Sequence, residues 1–218
     1  MTGFTLKALL AAACLLAIPL QAHAFTTGSG IAKSETRTPG KFTKIETSGA
    51  ITVEVTAGQS ATILLVSGDD NLLPLLQTTV AGDVLKIRMD ESNTRKVPLV
   101  VKIAMPKLTA IDASGASRIS VTGLNGERFA LDGSGGTKAV LGGKIDKFAV
   151  DLSGAGRVDA FALEAKTATI SISGAGHVDI NASEKLDLKV SGAGKVIYMG
   201  RPAITKSISG AAKVQARG

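Results

Sequence analysis

Six basic or potentially basic side chains recur through the second half of the sequence, each four residues after a serine. They are Arg118, Lys138, Arg157, His177, Lys195 and Lys213. Cations repeated along one axis suit an anionic polymer whose own charges repeat along its length. The alternative is a solvated surface in which neighbouring aspartates neutralise part of the charge. We take the six residues as a candidate site for an anionic ligand.

Three aspartates near this column are candidates for polysaccharide-processing chemistry, which typically combines a basic residue with acidic or calcium-bound carboxylates. They are Asp151, Asp159 and Asp179. Asp159 and Asp179 each stand six residues after a serine and would stack, so that their two carboxylates could hold calcium. Arg157 and His177 stand two residues earlier on the same face and favour salt bridges instead. We therefore expect no metal site here.

Other common catalytic and cofactor motifs are missing from the sequence after residue 24. His177 is its one histidine and it has no cysteine, so a metal site or a Ser-His-Asp triad would depend on His177 alone. No G-x-S-x-G elbow is present, and GSGIAKS at Gly28 lacks the glycine that a phosphate loop places before its lysine. Aromatic residues, on which the bases of nucleic acid stack, are scarce. We expect no catalytic residue, no cofactor and no nucleic-acid partner.

The first 24 residues have the pattern of a secretory signal peptide. Lys7 precedes an apolar run at 8–20, and Ala22-His23-Ala24 supplies the small residues of a cleavage site. The run is too short to span a membrane as a helix. A lipidated Cys14 is the alternative, but it would shorten the run and leave Ala-His-Ala unused. We expect cleavage after Ala24 and export to the periplasm, the cell surface or the medium.

The cationic column belongs to a repeat built around Ser-Gly followed by Ala or Gly. Seven copies begin at Ser48, Ser114, Ser134, Ser153, Ser173, Ser191 and Ser209, and from Ser114 onward they follow every 18 to 20 residues. The positions three and one before the serine, and five and seven after it, are almost all apolar, whereas the residues between them are mostly polar. This period of two predicts a strand on each side of a tight turn, and glycine in every copy suits a turn with positive φ.

Equivalent columns at this spacing favour coils stacked in register, in which parallel strands lie about 4.8 Å apart and each residue covers its equivalent. The predicted fold is therefore all-β, a parallel β-helix. A meander of antiparallel hairpins in a sandwich is the alternative. The net charge of +7 fits an anionic partner, and the chain after residue 24 is long enough for one sizeable core without disulfides.

The predicted organisation is a signal peptide at 1–24, a flexible lead-in at 25–40 and a single β-helix domain at 41–218. Within that domain, residues 41–107 form a β-rich section that caps the exposed end of the coils, and residues 108–218 form the regular coils. Pro74 limits any helix near it to a short turn. Lys206 replaces an apolar residue of an inward column in the last coil, where it either blocks pairing at the sheet edge or marks an oligomer contact.

Several stretches of the chain resemble one family of secreted bacterial proteins. They are FTKIETSGAITVEVTAGQSATILLVSGDDNLLPLLQTTVAGDVLKIRM, VVKIAMPKLTAIDASGASRISVTG and the Ser-Gly-Ala coils, in that order. From about Lys41 to Val214 the sequence resembles the putative auto-transporter adhesin head GIN domain family. The resemblance implies a right-handed β-helix similar to that of pectate lyases, together with export and an adhesion-like role. It brings no catalytic residues with it.

Together these features predict an exported, non-enzymatic β-helix that serves as an adhesion-like or structural binding module of the bacterial cell envelope. Its expected ligand is an anionic polysaccharide, such as an envelope glycan or lipopolysaccharide. A polysaccharide-processing, lyase-like enzyme on the same fold is the second hypothesis, and a purely structural periplasmic scaffold is the third. Turnover of acidic glycans would favour the enzyme, whereas binding without turnover would favour the binding module.

Overall fold

The structure is a computed structural model that describes residues 25–89 and 93–217. The predicted signal peptide at 1–24, including Cys14, lies outside these residues. Within the described ranges no helix has the length and apolar character needed to cross a membrane.

The described residues form seventeen strands and one short 3₁₀ helix. The strands are β1 Thr26–Thr27, β2 Ala32–Arg37, β3 Lys44–Ser48, β4 Thr52–Thr56, β5 Ile63–Asp69, β6 Leu76–Ala81, β7 Val84–Met89, β8 Asn93–Thr94, β9 Val100–Ala104, β10 Ala110–Ser114, β11 Arg118–Gly135, β12 Lys138–Gly154, β13 Arg157–Gly174, β14 His177–Gly192, β15 Lys195–Met199, β16 Ala203–Ser209 and β17 Lys213–Ala216. The 3₁₀ helix spans Leu73–Leu75 and has Pro74 in its first turn, as the sequence predicts.

Most strands belong to one sheet that coils on itself, so the fold is a β-solenoid of about five turns. Each of the four long strands β11 to β14 bends around the solenoid and pairs in parallel with the next. Leu131 lies beside Val150, and Val150 beside Ile170, so equivalent residues of successive copies are neighbours. The predicted all-β, parallel coil architecture is confirmed, and the antiparallel meander does not form.

Two faces of the solenoid carry columns of charged side chains. Face A consists of the strands that end at the motif serine, namely β3, β10, the second halves of β11 to β14, and β16. Face B consists of the strands that follow the motif, namely β4, the first halves of β11 to β14, β15 and β17. Side chains alternate between the core and solvent along both faces. Inward residues such as Leu152, Ile172 and Val190 are at most 2% exposed, so the charged columns point outward.

The section between the first and second copies of the motif covers one end of the solenoid. Strands β3 and β4 pair on one side with β10 and β11, and on the other side with β7 and β9. Strands β5 and β6 then add antiparallel to β9 and β7. The chain therefore completes one coil, builds the layer beneath it, and returns to stack the second coil on the first. We call this layer the cap.

The segment predicted to be a flexible lead-in is instead paired with the cap over much of its length. β2 pairs antiparallel with β5 along six residues, and β1 pairs in parallel with β8. The carboxylate of Asp69, which is 1% exposed, accepts a 2.7 Å hydrogen bond from the N–H of Gly30. The spacing of apolar residues does not predict this pairing. The segment is held mainly through backbone hydrogen bonds, which require no periodic apolar residues in the sequence.

Candidate anion-binding face

The six cationic residues predicted from their spacing occupy one in-register column on face B. The parallel ladders place Arg118 beside Lys138, Lys138 beside Arg157, and Arg157 beside His177. The column continues from His177 to Lys195 and ends at Lys213. The structure therefore brings all six residues together.

Backbone hydrogen bonds at the corners set the spacing of this basic column. The N–H of Arg157 donates to the carbonyl of Thr137 at 2.8 Å, and the N–H of His177 donates to the carbonyl of Gly156 at 2.9 Å. Each residue of the column is tied in this way to the coil before it. The side chains consequently leave face B at intervals of about 4.8 Å, the distance between hydrogen-bonded strands.

Two members of the basic column are paired with one buried aspartate. Asp179 is 3% exposed, and its Oδ2 lies 3.3 Å from Nη2 of Arg157. Its Oδ1 lies 2.9 Å from Nε2 of His177. A buried carboxylate is costly unless it is paired and hydrogen-bonded, and both oxygens of Asp179 are occupied. The predicted salt bridges are present at this residue, although the carboxylate is buried rather than at the surface.

The other two candidate carboxylates do not join Asp179 in one site. Asp159 stacks beside Asp179 as its spacing predicts, and its Oδ1 accepts a 3.2 Å hydrogen bond from the N–H of Phe161. Asp151 lies on face A, two residues before its motif serine, and therefore points away from face B. Among the described residues, no group of three or more His, Asp or Glu side chains is placed to hold a metal ion.

Four cations of the column have no ion-pair partner among the described residues. They are Arg118, Lys138, Lys195 and Lys213. Arg118 and Lys138, with Arg157, line a shallow groove of about 360 Å³ that also contains the carboxylates of Glu54 and Asp159. Glu54 is itself paired with a lysine of β9 at 3.3 Å. The groove therefore offers two free cations to an incoming anion.

The comparison with protein families agrees with this architecture. The sequence matches the family described as "Putative auto-transporter adhesin, head GIN domain" over residues 41–202. The chain belongs to this family. Comparison with curated proteins gives no match.

Solved structures share the fold of this GIN domain. A putative adhesin from Bacteroides fragilis is 21% identical with a TM-score of 0.73, and the alignment covers 88% of this chain and 99% of that one. A putative lipid binding protein from Parabacteroides distasonis is 21% identical with a TM-score of 0.57, covering 89% and 100%. A putative adhesin from Parabacteroides merdae is 18% identical with a TM-score of 0.56, covering 90% and 100%. At these identities the similarity establishes the fold.

Face A of the GIN domain carries a second charged column, of opposite sign, that the sequence reasoning missed. Glu46, Asp112, Asp132 and Asp151 lie side by side in the parallel ladder. Burial, followed by the charges of Asp112 and Asp151, raises the pKa of Asp132 above its ordinary value. The signal was available in the repeat itself, because these residues all stand two positions before the motif serine. The first coils are thus acidic on face A, while face B is basic.

Proposed function

We propose that this GIN domain is an exported, adhesion-like binding module of the cell envelope, and that its basic column binds an anionic polysaccharide. The observation that carries the proposal is the column on face B. Its residues stand in register, and Arg118, Lys138, Lys195 and Lys213 lack ion-pair partners within the described part of the chain. Like charges that are stacked in a column repel one another. A bound polyanion would offset this repulsion, because these four cations have no ion-pair partner among the described residues.

Affinity in such a site comes from several cations of the basic column that contact one polymer together. A single exposed ion pair contributes only about 0–1 kcal/mol, and salt screens it. A polymer that contacts four cations of the column gains from each ion pair but loses its translational and rotational freedom only once. The expected ligand is therefore a chain with regularly spaced carboxylate, sulfate or phosphate groups, and its binding should weaken steeply as salt is added.

The export and adhesion parts of the proposal have separate support. The family to which the chain belongs is described as an adhesin head, and two of the similar structures are named as adhesins. The pattern of the first 24 residues is that of a secretory signal peptide. These two observations support the proposed location in the periplasm or at the cell surface.

The test is binding of an acidic polysaccharide by a charge-neutralised column. The variant carries Arg118→Gln, Lys138→Gln, Lys195→Gln and Lys213→Gln. Its matched control carries Lys33→Gln, Lys41→Gln, Lys107→Gln and Lys147→Gln, which remove the same charge from exposed lysines elsewhere. We expect the column variant to bind polygalacturonate or lipopolysaccharide at least ~10-fold more weakly than the control variant does. Equal losses in both variants would reduce the effect to net charge and contradict the proposal.

A turnover assay on the same polysaccharides separates the binding module from a lyase-like enzyme. His177 and Asp179 are the candidate acid–base pair for such an enzyme, because Nε2 of His177 lies 2.9 Å from Oδ1 of Asp179. Cleavage that disappears in His177→Gln would replace the proposed function with catalysis. Binding of the intact polymer without cleavage supports the module.

A further inference from the structure

The last coil leaves part of the core open to solvent. Ile204, Lys206 and Ile208 of β16 continue the inward columns of Leu186, Leu188 and Val190 in β14, which are at most 2% exposed. In β16 the same positions are exposed, with Ile204 at 38% and Ile208 at 39%. Within the described residues, no segment covers the inward side of β16. We call this surface, Ile204, Lys206 and Ile208 with the cations around it, the open end.

The charged residues of the last coil are all cationic. No Asp or Glu follows Asp187 in the sequence, whereas six cations do, namely Lys189, Lys195, Arg201, Lys206, Lys213 and Arg217. Arg201, Lys206 and Lys213 are exposed and have no ion-pair partner among the described residues. The charged side chains of the coil that carries Ile204 and Ile208 are thus all cationic, and the carboxylate of Asp187, beside Thr205 in the adjacent coil, is paired with Lys185 at 2.6 Å.

The opposite end of the solenoid has a different character. There β7 and β9 cover the first coil, and β5 and β6 cover them in turn. Its charges are balanced by ion pairs such as Lys44 with Asp83 and Lys86 with Glu46. Phe25, Ile31 and Ile63 are also exposed in the capping section and its lead-in, but the charged residues there are of both signs. Apolar exposure in a coil whose charged side chains are all cationic is therefore particular to the open end.

We propose that the open end docks on the surface of an anionic phospholipid bilayer. Ile204 and Ile208 enter the boundary between headgroups and acyl chains, while Lys206 and its neighbours contact lipid phosphates. The long stem of Lys206 reaches the phosphates while its methylenes lie along the apolar patch. A second copy placed open end to open end would set Lys206 against Lys206. A soluble acidic polymer would pair with the cations but would leave the two isoleucines exposed to water. An anionic bilayer offers phosphates to the cations and an apolar region to the isoleucines.

The experiment is co-sedimentation with vesicles, using the chain from Phe25 onward, which follows the predicted cleavage site. Vesicles of phosphatidylcholine with phosphatidylglycerol are compared with vesicles of phosphatidylcholine alone. We expect binding only to the anionic vesicles, and at least ~10-fold weaker binding for Ile204→Ser/Ile208→Ser and for Arg201→Gln/Lys206→Gln. These side chains are already exposed, and circular dichroism with thermal unfolding verifies that each variant folds.

Matched controls exist on other surfaces of the chain. Ile63 and Val140 are 53% and 55% exposed but lie away from the open end. Ile63→Ser/Val140→Ser and Lys33→Gln/Lys107→Gln should therefore bind vesicles as the unaltered protein does. Unchanged binding by the open-end variants, or equal binding to neutral vesicles, overturns the proposal. Self-association that the open-end variants abolish, without vesicle binding, overturns it in favour of a second copy.

Lys195 and Lys213 belong to both surfaces, so the two proposals are separated by variants of residues that belong to only one of them. Arg118→Gln/Lys138→Gln changes the basic column several coils away from β16. This variant should retain vesicle binding while it loses polysaccharide binding, and Ile204→Ser/Ile208→Ser should show the reverse. Loss of vesicle binding in Arg118→Gln/Lys138→Gln would show that the overall positive charge, and not the open end, binds the vesicles. That result would contradict the inference.

Discussion

Thr47 lies beside Ala113 in adjacent parallel strands, although the whole capping section separates them in the sequence. Thr47 occupies an inward column and is 2% exposed, and its Oγ1 has no hydrogen-bond partner among the described residues. The first coil therefore contains a buried hydroxyl at its junction with the cap. An unsatisfied buried polar atom costs about 1–3 kcal/mol.

Thr47→Val should stabilise the protein. Valine has nearly the shape of threonine and removes the unpaired hydroxyl, so we expect the free energy of unfolding to rise by about 1 kcal/mol. Denaturant unfolding monitored by circular dichroism measures the change. Thr137→Val is the matched control, because Oγ1 of Thr137 donates to carbonyls of Ala113 and Ser134. Thr137→Val should lower the free energy of unfolding. A rise in the free energy of unfolding of both variants would contradict the explanation.

Gly174→Ala should destabilise the corner between β13 and β14. Gly174 has φ of +120°, and a Cβ placed there would lie 2.6 Å from the carbonyl oxygen of Gly154 in the coil before it. The backbone conformation alone costs about 1–3 kcal/mol for a residue other than glycine, and the contact adds to it. Gly40→Ala has nothing within 4 Å of its Cβ and should be tolerated. Thermal unfolding of the two variants would refute this account if their midpoints were equal.

Asp132→Asn should stabilise the protein near neutral pH. Burial and the neighbouring Asp112 and Asp151 raise the folded-state pKa of Asp132, so its ionisation opposes folding above that pKa. Removing the central like charge should add about 0.2–1 kcal/mol. The gain should vanish as the pH falls below the ordinary value of 3.8, where the carboxyl is neutral in both states.

Unfolding at pH 7 and pH 3 measures this effect of Asp132→Asn. Asp146→Asn is the control, because Asp146 pairs with Lys166 at 2.7 Å and its removal should give no gain. A gain for Asp132→Asn that is the same at both pH values would show that charge is not its cause.

Asp69→Asn should release the segment ahead of the first coil. Burial alone would raise the pKa of Asp69, but hydrogen bonds from the N–H groups of Val97, Gly30 and Lys96 lower it below 3.8 overall. Its contribution to stability is therefore complete above the unfolded-state pKa and is lost as the pH falls through the lowered folded-state value. Asparagine lacks one of the two acceptor oxygens that these donors require.

Hydrogen exchange of β2 and limited proteolysis near residue 30 measure that release. Both should increase in Asp69→Asn at pH 7, and in the unaltered protein only below about pH 4. Asp70→Asn leaves the three backbone hydrogen bonds to Asp69 intact and keeps an Oδ1 acceptor for the hydroxyl of Ser29, which donates to Asp70 at 2.6 Å. This variant should therefore protect β2 as the unaltered protein does. Equal protection of β2 in Asp69→Asn would contradict the role given to this carboxylate.

Asp179→Asn should weaken folding and strengthen anion binding at the same time. It removes the charge that pairs with Arg157 and His177, at a cost of about 1.5–3 kcal/mol for hydrogen bonds to a charged group. The guanidinium of Arg157 is then available to a ligand in the basic column. Denaturant unfolding should show the loss of stability, and the affinity for polygalacturonate should rise. A fall in affinity while the protein stays folded would place Asp179 itself in the binding site.

The regular coils could be predicted from the sequence because each copy of the motif supplies the register of the next. Once Ser114 and Ser134 stack, the positions of Lys138 and Arg157 relative to Arg118 follow without further information. The capping section has no such internal template. Its strands are recognisable by their alternation, but their antiparallel pairing beneath the first coil depends on where the chain returns, which local pattern does not encode.

The sequence by itself determined the parallel solenoid, the glycine corners and the stacking of the six cations, because a repeat makes every neighbour an equivalent residue. Only the tertiary structure decided how the charges are used. It placed Asp179 in a buried position between Arg157 and His177, tied the lead-in to Asp69, and left Ile204 and Ile208 uncovered at one end. Burial and pairing depend on what covers a side chain from another coil, and that covering is set in three dimensions.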